Sequence, residues 1–522
     1  MPKHENDYHG SDTAESALFR AHCCPCPGHQ EGVGRREFLG AAALGSVALT
    51  GLSWAALSAA EPGLPQASAR KTLVVKPILI YDVPRRAPQT SWRSWGGIQT
   101  EEDARQEVQL IQGELARLKS SADFPVEFLP ISAVRDVAKL NDSEDVKKAH
   151  VLLVYAAGGQ VNPLAAFGKN TIFFLRHKSG PLSLWYEIIS PHFLRQCTDN
   201  VVVKGMTDHD VVVDNIDEVL WRLRALCGLN DAMNSRILAV GGPGAWAQPG
   251  NVVPEIVRKQ WKTDIQTVTY KELGDLIQAA RQDPKETAMA KRRAAEYVKL
   301  PNTTLETKLA FVENAMLLDQ IFRKLMAKAQ CRSITVNSCM GTIMPLAETS
   351  ACLALSTLND DGYLAFCESD FVVIPSGMLL AAIAGKPMFL NDPTYPHDGI
   401  ITLAHCTAPR RLDGKTRDPA RIMTHFESDY GASPKVEMRI GQITTSIAPD
   451  FKFQRWVGVL GEIVAHPLLP ICRSQIDIKF KCSSQLLAER MPGFHWMTIY
   501  GDYSREVGYA LRKIPIAWEF LG

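Results

Sequence analysis

Three side chains in the last third of the chain are suited to hold a divalent cation: Glu368, Asp392 and His405. Glu368 follows the apolar run Gly362-Tyr-Leu-Ala-Phe366. Asp392 lies in Phe389-Leu-Asn-Asp-Pro-Thr-Tyr395, and His405 closes Thr402-Leu-Ala-His405. Two carboxylates with an imidazole nearby suit Mn²⁺ or Mg²⁺ better than zinc, which prefers Cys and His. Carboxylates at strand ends also cap helices or solvate loops, and composition alone does not choose between these uses.

What brings them together is the order of elements around them. Between the two carboxylates lies one amphipathic helix, Ile374–Ala384, stopped by Gly385, a good residue to end a helix. Strand, helix and strand with short loops read as a βαβ crossover, so the flanking strands are expected to run parallel. Glu368 and Asp392 then lie just past the two strand ends, at the carboxyl edge where α/β sheets bind ligands. Seven residues separate Asp392 from Ile400, too few for another parallel crossover, so Ile400–Ala404 is expected to run back antiparallel. That turn carries His405 away from the carboxylates unless the strand bends, and spacing leaves the point open.

Upstream, strands and helices alternate. Thr72–Tyr81, Val126–Leu129, His150–Tyr155 and Thr171–Leu175 read as strands, Glu101–Lys119 as a helix, and Asp217–Cys227 as a helix ending at Gly228. A second unit opens at Arg236-Ile-Leu-Ala-Val-Gly-Gly-Pro-Gly244. Its glycines match neither G-x-G-x-x-G nor a P-loop with its lysine, so they read as a tight turn. Helices are expected over 270–282, 285–298, 305–330 and 344–358, with strands at Ser333–Val336 and Gly362–Phe366. After about Pro387, short runs punctuated by Gly, Pro and Asp suggest an antiparallel sheet or small barrel: 400–404, 436–440, 442–447, 456–463 and 475–480. The fold class expected is α/β: two doubly wound parallel-sheet (Rossmann-like) domains, 70–232 and 233–386, followed by a mostly antiparallel β domain, 387–522.

Residues 1–69 are set apart. Gly34-Arg-Arg-Glu-Phe-Leu-Gly40 precedes an Ala/Gly/Leu-rich run and small-residue cleavage sites after Ala60 or Ala69. Paired arginines there read as a twin-arginine export signal, implying a periplasmic or other extracytoplasmic protein that meets the translocation machinery already folded. The rival reading is an uncleaved membrane anchor.

The 522 residues carry a formal net charge of +1, with 22% charged and 46% hydrophobic residues. No basic face marks a nucleic-acid partner. Three of the twelve cysteines, Cys23, Cys24 and Cys26, fall in the leader. The nine others are scattered without a C-x-x-C pair and read as free, mostly buried thiols rather than a disulfide framework. Cys367, beside Glu368, reads as core packing, and His425 and His466, among turn residues, as surface.

The stretch Leu355–His405 resembles the L-fucose isomerase and L-arabinose isomerase group of metal-dependent sugar isomerases. The matching segments are Asp361-Gly-Tyr-Leu-Ala-Phe-Cys-Glu-Ser-Asp370, Gly385-Lys-Pro-Met-Phe-Leu-Asn-Asp392, Asp392-Pro-Thr-Tyr395 and Leu403-Ala-His405. The 24-residue step from Glu368 to Asp392 is similar to that between the carboxylate ligands of the fucose enzymes. The resemblance adds a last histidine ligand near the C-terminus, for which His495 in Gly493-Phe-His-Trp-Met497 stands. It implies Mn²⁺ or another divalent cation held by Glu368, Asp392, His405 and His495. The reaction implied is aldose–ketose interconversion through an enediol, with Glu368 and Asp392 also acting as the acid/base pair. Tyr395, His397 and Trp496 are candidates to contact a small-molecule sugar, and a homo-oligomer is expected. A non-catalytic sugar-binding protein and a metal-dependent hydrolase of a sugar derivative are the alternatives.

Overall fold

A row of apolar, β-branched residues opens the described chain, and it forms the centre of the first sheet. The computed structural model describes residues 64–93, 98–159, 161–179, 206–249 and 251–522. The expected export signal therefore lies outside the described residues, apart from its last few positions, as do Cys23, Cys24, Cys26 and Cys197. Strand β1 (Leu73–Tyr81) is flanked by β2 (Val126–Phe128), β3 (Ser132–Val134) and β4 (Val151–Ala157). Beyond β4 lie β5 (Asn170–Leu175) and β6 (Val211–Val213), giving the order β2-β1-β4-β5-β6 with β3 also on β1. Every pairing is parallel. Burial on both faces explains why β1 and β4 read as apolar runs, broken in β1 only by Lys76, whose buried ammonium meets Asp145 at 2.8 Å.

The second sheet is also parallel. It comprises β7 (Arg236–Val240), β8 (Asp264–Val268), β10 (Ser333–Val336) and β11 (Leu364–Phe366), ordered β11-β10-β7-β8. The intervening β9 (Thr303–Leu305) joins a separate three-stranded sheet with β14 (Ala420–Met423) and β15 (Ser433–Val436). The helix expected over 305–330 accordingly begins at Leu309, since Thr303–Leu305 pairs in register with Ala420–Ile422. The stretch 344–358 is not one helix: Glu348 adopts a left-handed φ of 51°, and a new helix starts at Cys352.

The C-terminal region closes into an antiparallel barrel. Its strands are β12 (Phe389–Pro393), β13 (Ile400–His405), β16 (Ile443–Pro449), β17 (Arg455–Ala465), β18 (Ser474–Phe480) and β19 (Trp496–Tyr500). The order β16-β19-β12-β13-β18-β17 returns to β16 through the β16–β17 pairing, and β20 (Ala517–Phe520) adds to β17 in parallel. Closure leaves those six strands without a free edge. Among the described residues no single helix is long and apolar enough to cross a membrane.

This topology overturns the expected βαβ crossover. β11 is the edge strand of the second parallel sheet, whereas β12 pairs antiparallel with β13 and β19 inside the barrel. The linking helix, Ile374–Ala384, spans two sheets and is buried on nearly every side rather than amphipathic. It ends at Gly385 as expected, with φ +65°. A Cβ at Gly377 would fall 2.7 Å from Phe366 and 2.9 Å from Met497, so this glycine lets the helix lie directly against β11 and β19.

Gly228 likewise does not end its helix, which continues to Ala232. A Cβ there would lie 2.8 Å from the backbone nitrogen of Ile383, so the glycine marks where two helices cross closely. Alanine is ordinarily about 1 kcal/mol better than glycine inside a helix. Here Gly228→Ala should lower stability, because overpacking against backbone costs about 1–3 kcal/mol. Thermal unfolding checks the sign: a Tm equal to or above that of the parent would refute the close crossing.

Candidate metal centre

Glu368 sits in the loop just after β11, in a backbone conformation that non-glycine residues seldom adopt. Its φ is +64°, and that of the next residue, Ser369, is +47°. Such conformations cost about 1–3 kcal/mol each and persist where the surroundings over-determine them. The surroundings here are explicit. The Ser369 N–H donates to Thr335 Oγ1 at the end of β10 (3.1 Å), and the Gly244 N–H donates to the Ser369 carbonyl (3.2 Å). Asp370 Oδ1 accepts from the Trp246 N–H and the Val372 N–H, both at 3.1 Å. The glycine-rich turn after β7 thus grips the Glu368 loop.

Asp392 and His405 come together through hairpin register. Asp392 lies inside β12, not past its end, and pairs with Ala404, so His405 is one residue further along the adjoining strand. No bend is required: a hairpin that begins at His397–Ile400 holds the two residues a step apart. His495 immediately precedes β19, whose first residue, Trp496, pairs with Asn391. The three strand ends therefore deliver Asp392, His405 and His495 to one point, with ligand atoms within 4.8 Å of one another.

Glu368 completes the cluster from the other side. Its carboxylate lies 3.9 Å from His405 Nε2 and 3.4 Å from His495 Nε2, and Asp392 Oδ1 lies 3.2 Å from His495 Nε2. Each imidazole is oriented through its far nitrogen. His495 Nδ1 donates to Asp370 Oδ2 at 2.7 Å, and His405 Nδ1 lies 2.9 Å from the Thr407 hydroxyl. That arrangement, with Nδ1 engaged and Nε2 turned inward, is the usual way a protein aims histidine at a metal. Asp392 Oδ1 and His495 Nε2 are buried without a hydrogen-bond partner. The donor set and these two orphaned atoms fit a divalent cation.

The electrostatics are those of a dense ionic cluster. Burial raises the Asp392 carboxyl, and the two imidazoles only partly offset it. Burial also acts to raise Glu368, but His495 and His405 outweigh it and hold the group below its ordinary value. Burial opposes a charge on His495, yet Asp370, Glu368 and Asp392 together push it up to about 10.

The cluster opens into a cleft of about 560 Å³. Trp246 and Phe494 stand at its rim, stacked with centroids 4.6 Å apart and both about half exposed. They offer the aromatic surface that sequence reasoning sought elsewhere. Tyr395 and His397 sit exposed at the hairpin tip, and neither is among the residues that line the cleft. Trp496 is fully enclosed in the barrel, because successive residues of an extended strand point to opposite faces and His495 turns toward Glu368 and Asp392. His425, expected at the surface, is 5% exposed and lines the cleft, while His466 is half-buried. Cys339, Cys352, Cys367, Cys406 and Cys472 line it too, although their sequence spacing carries no sign of this.

In chelated, metal-free protein, a raised His495 contributes stability fully present below about 6.5 and lost as pH rises through about 10. Glu368, held low, contributes stability present above its ordinary value and lost as pH falls below it. Histidine NMR should show His495 still protonated at pH 8, and Asp370→Asn should move its titration downward. Titration of the parent near 6.5 would contradict this electrostatic picture. No known family model matches the chain, and no curated protein sequence matches it.

Proposed function

We propose that the chain is a metal-dependent aldose–ketose isomerase, or a close relative acting on a sugar-like substrate, with two Rossmann-like domains ahead of the barrel. The observation that carries this reading is the convergence of Glu368, Asp392, His405 and His495 on one point at the cleft, where Asp392 Oδ1 and His495 Nε2 meet at 3.2 Å but neither makes a hydrogen bond. Neither atom's hydrogen-bonding capacity is met by these contacts alone. A cation at that point would satisfy both. Two carboxylate oxygens and two imidazole nitrogens suit Mn²⁺. Bound there, Mn²⁺ would act as a Lewis acid on the carbonyl of an open-chain sugar and acidify the neighbouring C–H.

The protein's own groups then move the proton. Asp392, whose burial favours the protonated form, takes the C2 proton of the aldose and returns it to C1. The O2 hydroxyl proton passes to O1, so the sugar crosses an enediol and leaves as a ketose with no net gain or loss of atoms. Glu368 stays anionic between the two imidazoles. Asp370 and Thr407 keep those imidazoles aimed. The exposed Trp246–Phe494 pair offers an apolar face to the C–H side of the sugar ring.

Twin-arginine export, an extracytoplasmic location and a homo-oligomer belong to the same proposal. Folding before export would let Mn²⁺ load away from metals that bind more tightly.

The test is turnover of a panel of pentoses, hexoses and deoxysugars by the Mn²⁺-loaded full-length protein. Ketose formation should vanish with chelation and return with Mn²⁺. Asp392→Asn, which removes the proton carrier, should lower it about 10²–10⁴-fold with the fold intact by circular dichroism. Full activity in that variant, or no isomerisation by the loaded parent, would overturn the reading. Under the second outcome, thermal stabilisation by a sugar without turnover indicates a binding protein, and two products with water consumed indicate a hydrolase.

A further inference from the structure

Five of the eight described cysteines line one cleft, and they come from parts of the chain far apart in sequence. Cys352 begins a helix, Cys406 follows β13, and His425 follows β14 by two residues. Their ligand atoms lie within 4.8 Å of one another, and all three residues are at least 95% buried. Cys406 also adjoins Cys472, which lies two residues before β18. Buried cysteine often acts as a small hydrophobe, which needs no imidazole beside it. Here a buried imidazole turns toward the thiols, with its Nδ1 3.3 Å from the Ser428 hydroxyl. That contact leaves the other ring nitrogen for a ligand, as in metal-binding histidines.

We propose that Cys352, Cys406 and His425 bind Zn²⁺ in the wall of the cleft, at a site separate from the carboxylate–histidine cluster. Two thiolates and an imidazole form the donor set of a zinc site with one position open. All three residues line the cleft, as does Cys472, which adjoins Cys406. Tetrahedral zinc–sulfur bonds of about 2.3 Å place ligand sulfurs about 3.8 Å apart, so the cluster must close by no more than about 1 Å. Binding releases the two thiol protons to solvent. The two sites divide metals by chemistry: thiolates select zinc, while the carboxylates suit a harder ion. They also share a strand end, because His405 serves one and Cys406 the other. Zinc would tie that strand end to the helix at Cys352 and to the loop after β14, holding His405 in place. The proposal does not depend on the isomerase reading.

Cobalt substitution tests it. Reduced full-length protein, titrated with Co²⁺ under argon, should develop a thiolate-to-cobalt charge-transfer band in the near ultraviolet that Zn²⁺ displaces. Cys406→Ser and His425→Gln should each weaken Zn²⁺ binding more than 100-fold, beyond the roughly 10–100-fold that a change in an orienting partner costs. Glu368→Gln should leave the band intact, which separates this site from the carboxylate cluster whatever the turnover assays show. Circular dichroism establishes that the variants fold, and agreement of two chemically different substitutions guards against a local collapse. Absence of the band in the parent would overturn the proposal. So would its persistence in both ligand variants, its loss in Glu368→Gln, or a Cys352–Cys406 disulfide in protein isolated anaerobically.

Discussion

The carboxylate of Asp370 joins three distant parts of the chain at one point. It accepts from the backbone of Trp246 in the loop after β7, from Val372 in its own loop, and from His495 ahead of β19. A carboxylate this deeply buried would cost several kcal/mol if it lost those partners. With them, it docks the second parallel sheet onto the barrel at the place where the candidate ligands meet. Beside it, Glu368 and Ser369 hold left-handed backbone, with Ser369 itself held by Thr335 and Gly244.

The barrel supplies the rest of the geometry. Antiparallel register sets Asp392 opposite Ala404 and Asn391 opposite Trp496, so the residues next to those pairs fall together without any special bend. Because the six strands close on themselves, register cannot slip without breaking pairings around the whole ring. The alternation of side chains along a strand then sorts the chemistry. His405 faces the carboxylates while Cys406 joins the thiols, and His495 meets Glu368 and Asp392 while Trp496 fills the core.

Much of the α/β part was legible because its signals are local. Thr72–Tyr81, Ser333–Val336 and Tyr270–Gln282 carry the periodicity of the elements they form, and Gly385 ends its helix where expected. The antiparallel character of the C-terminal region was readable from short runs between turn residues. The βαβ reading failed because parallel pairing was inferred from connection length, and a fully apolar helix can equally carry the chain from one sheet into another. Gly228 misled for a related reason, since a glycine that ends a helix and one that admits a neighbouring helix look alike in sequence.

By itself the sequence determined the element types, the position of Glu368 after a strand, and the kinds of donor atom within reach of one another along the chain. These depend on residues a few positions apart. Tertiary structure alone decided that His405 adjoins Asp392, that Asp370 orients His495, and that five scattered cysteines share a cleft with His425. Those meetings depend on which strands pair and in what register. That is settled by the burial of whole faces and the closing of a barrel, and no short stretch of sequence encodes it.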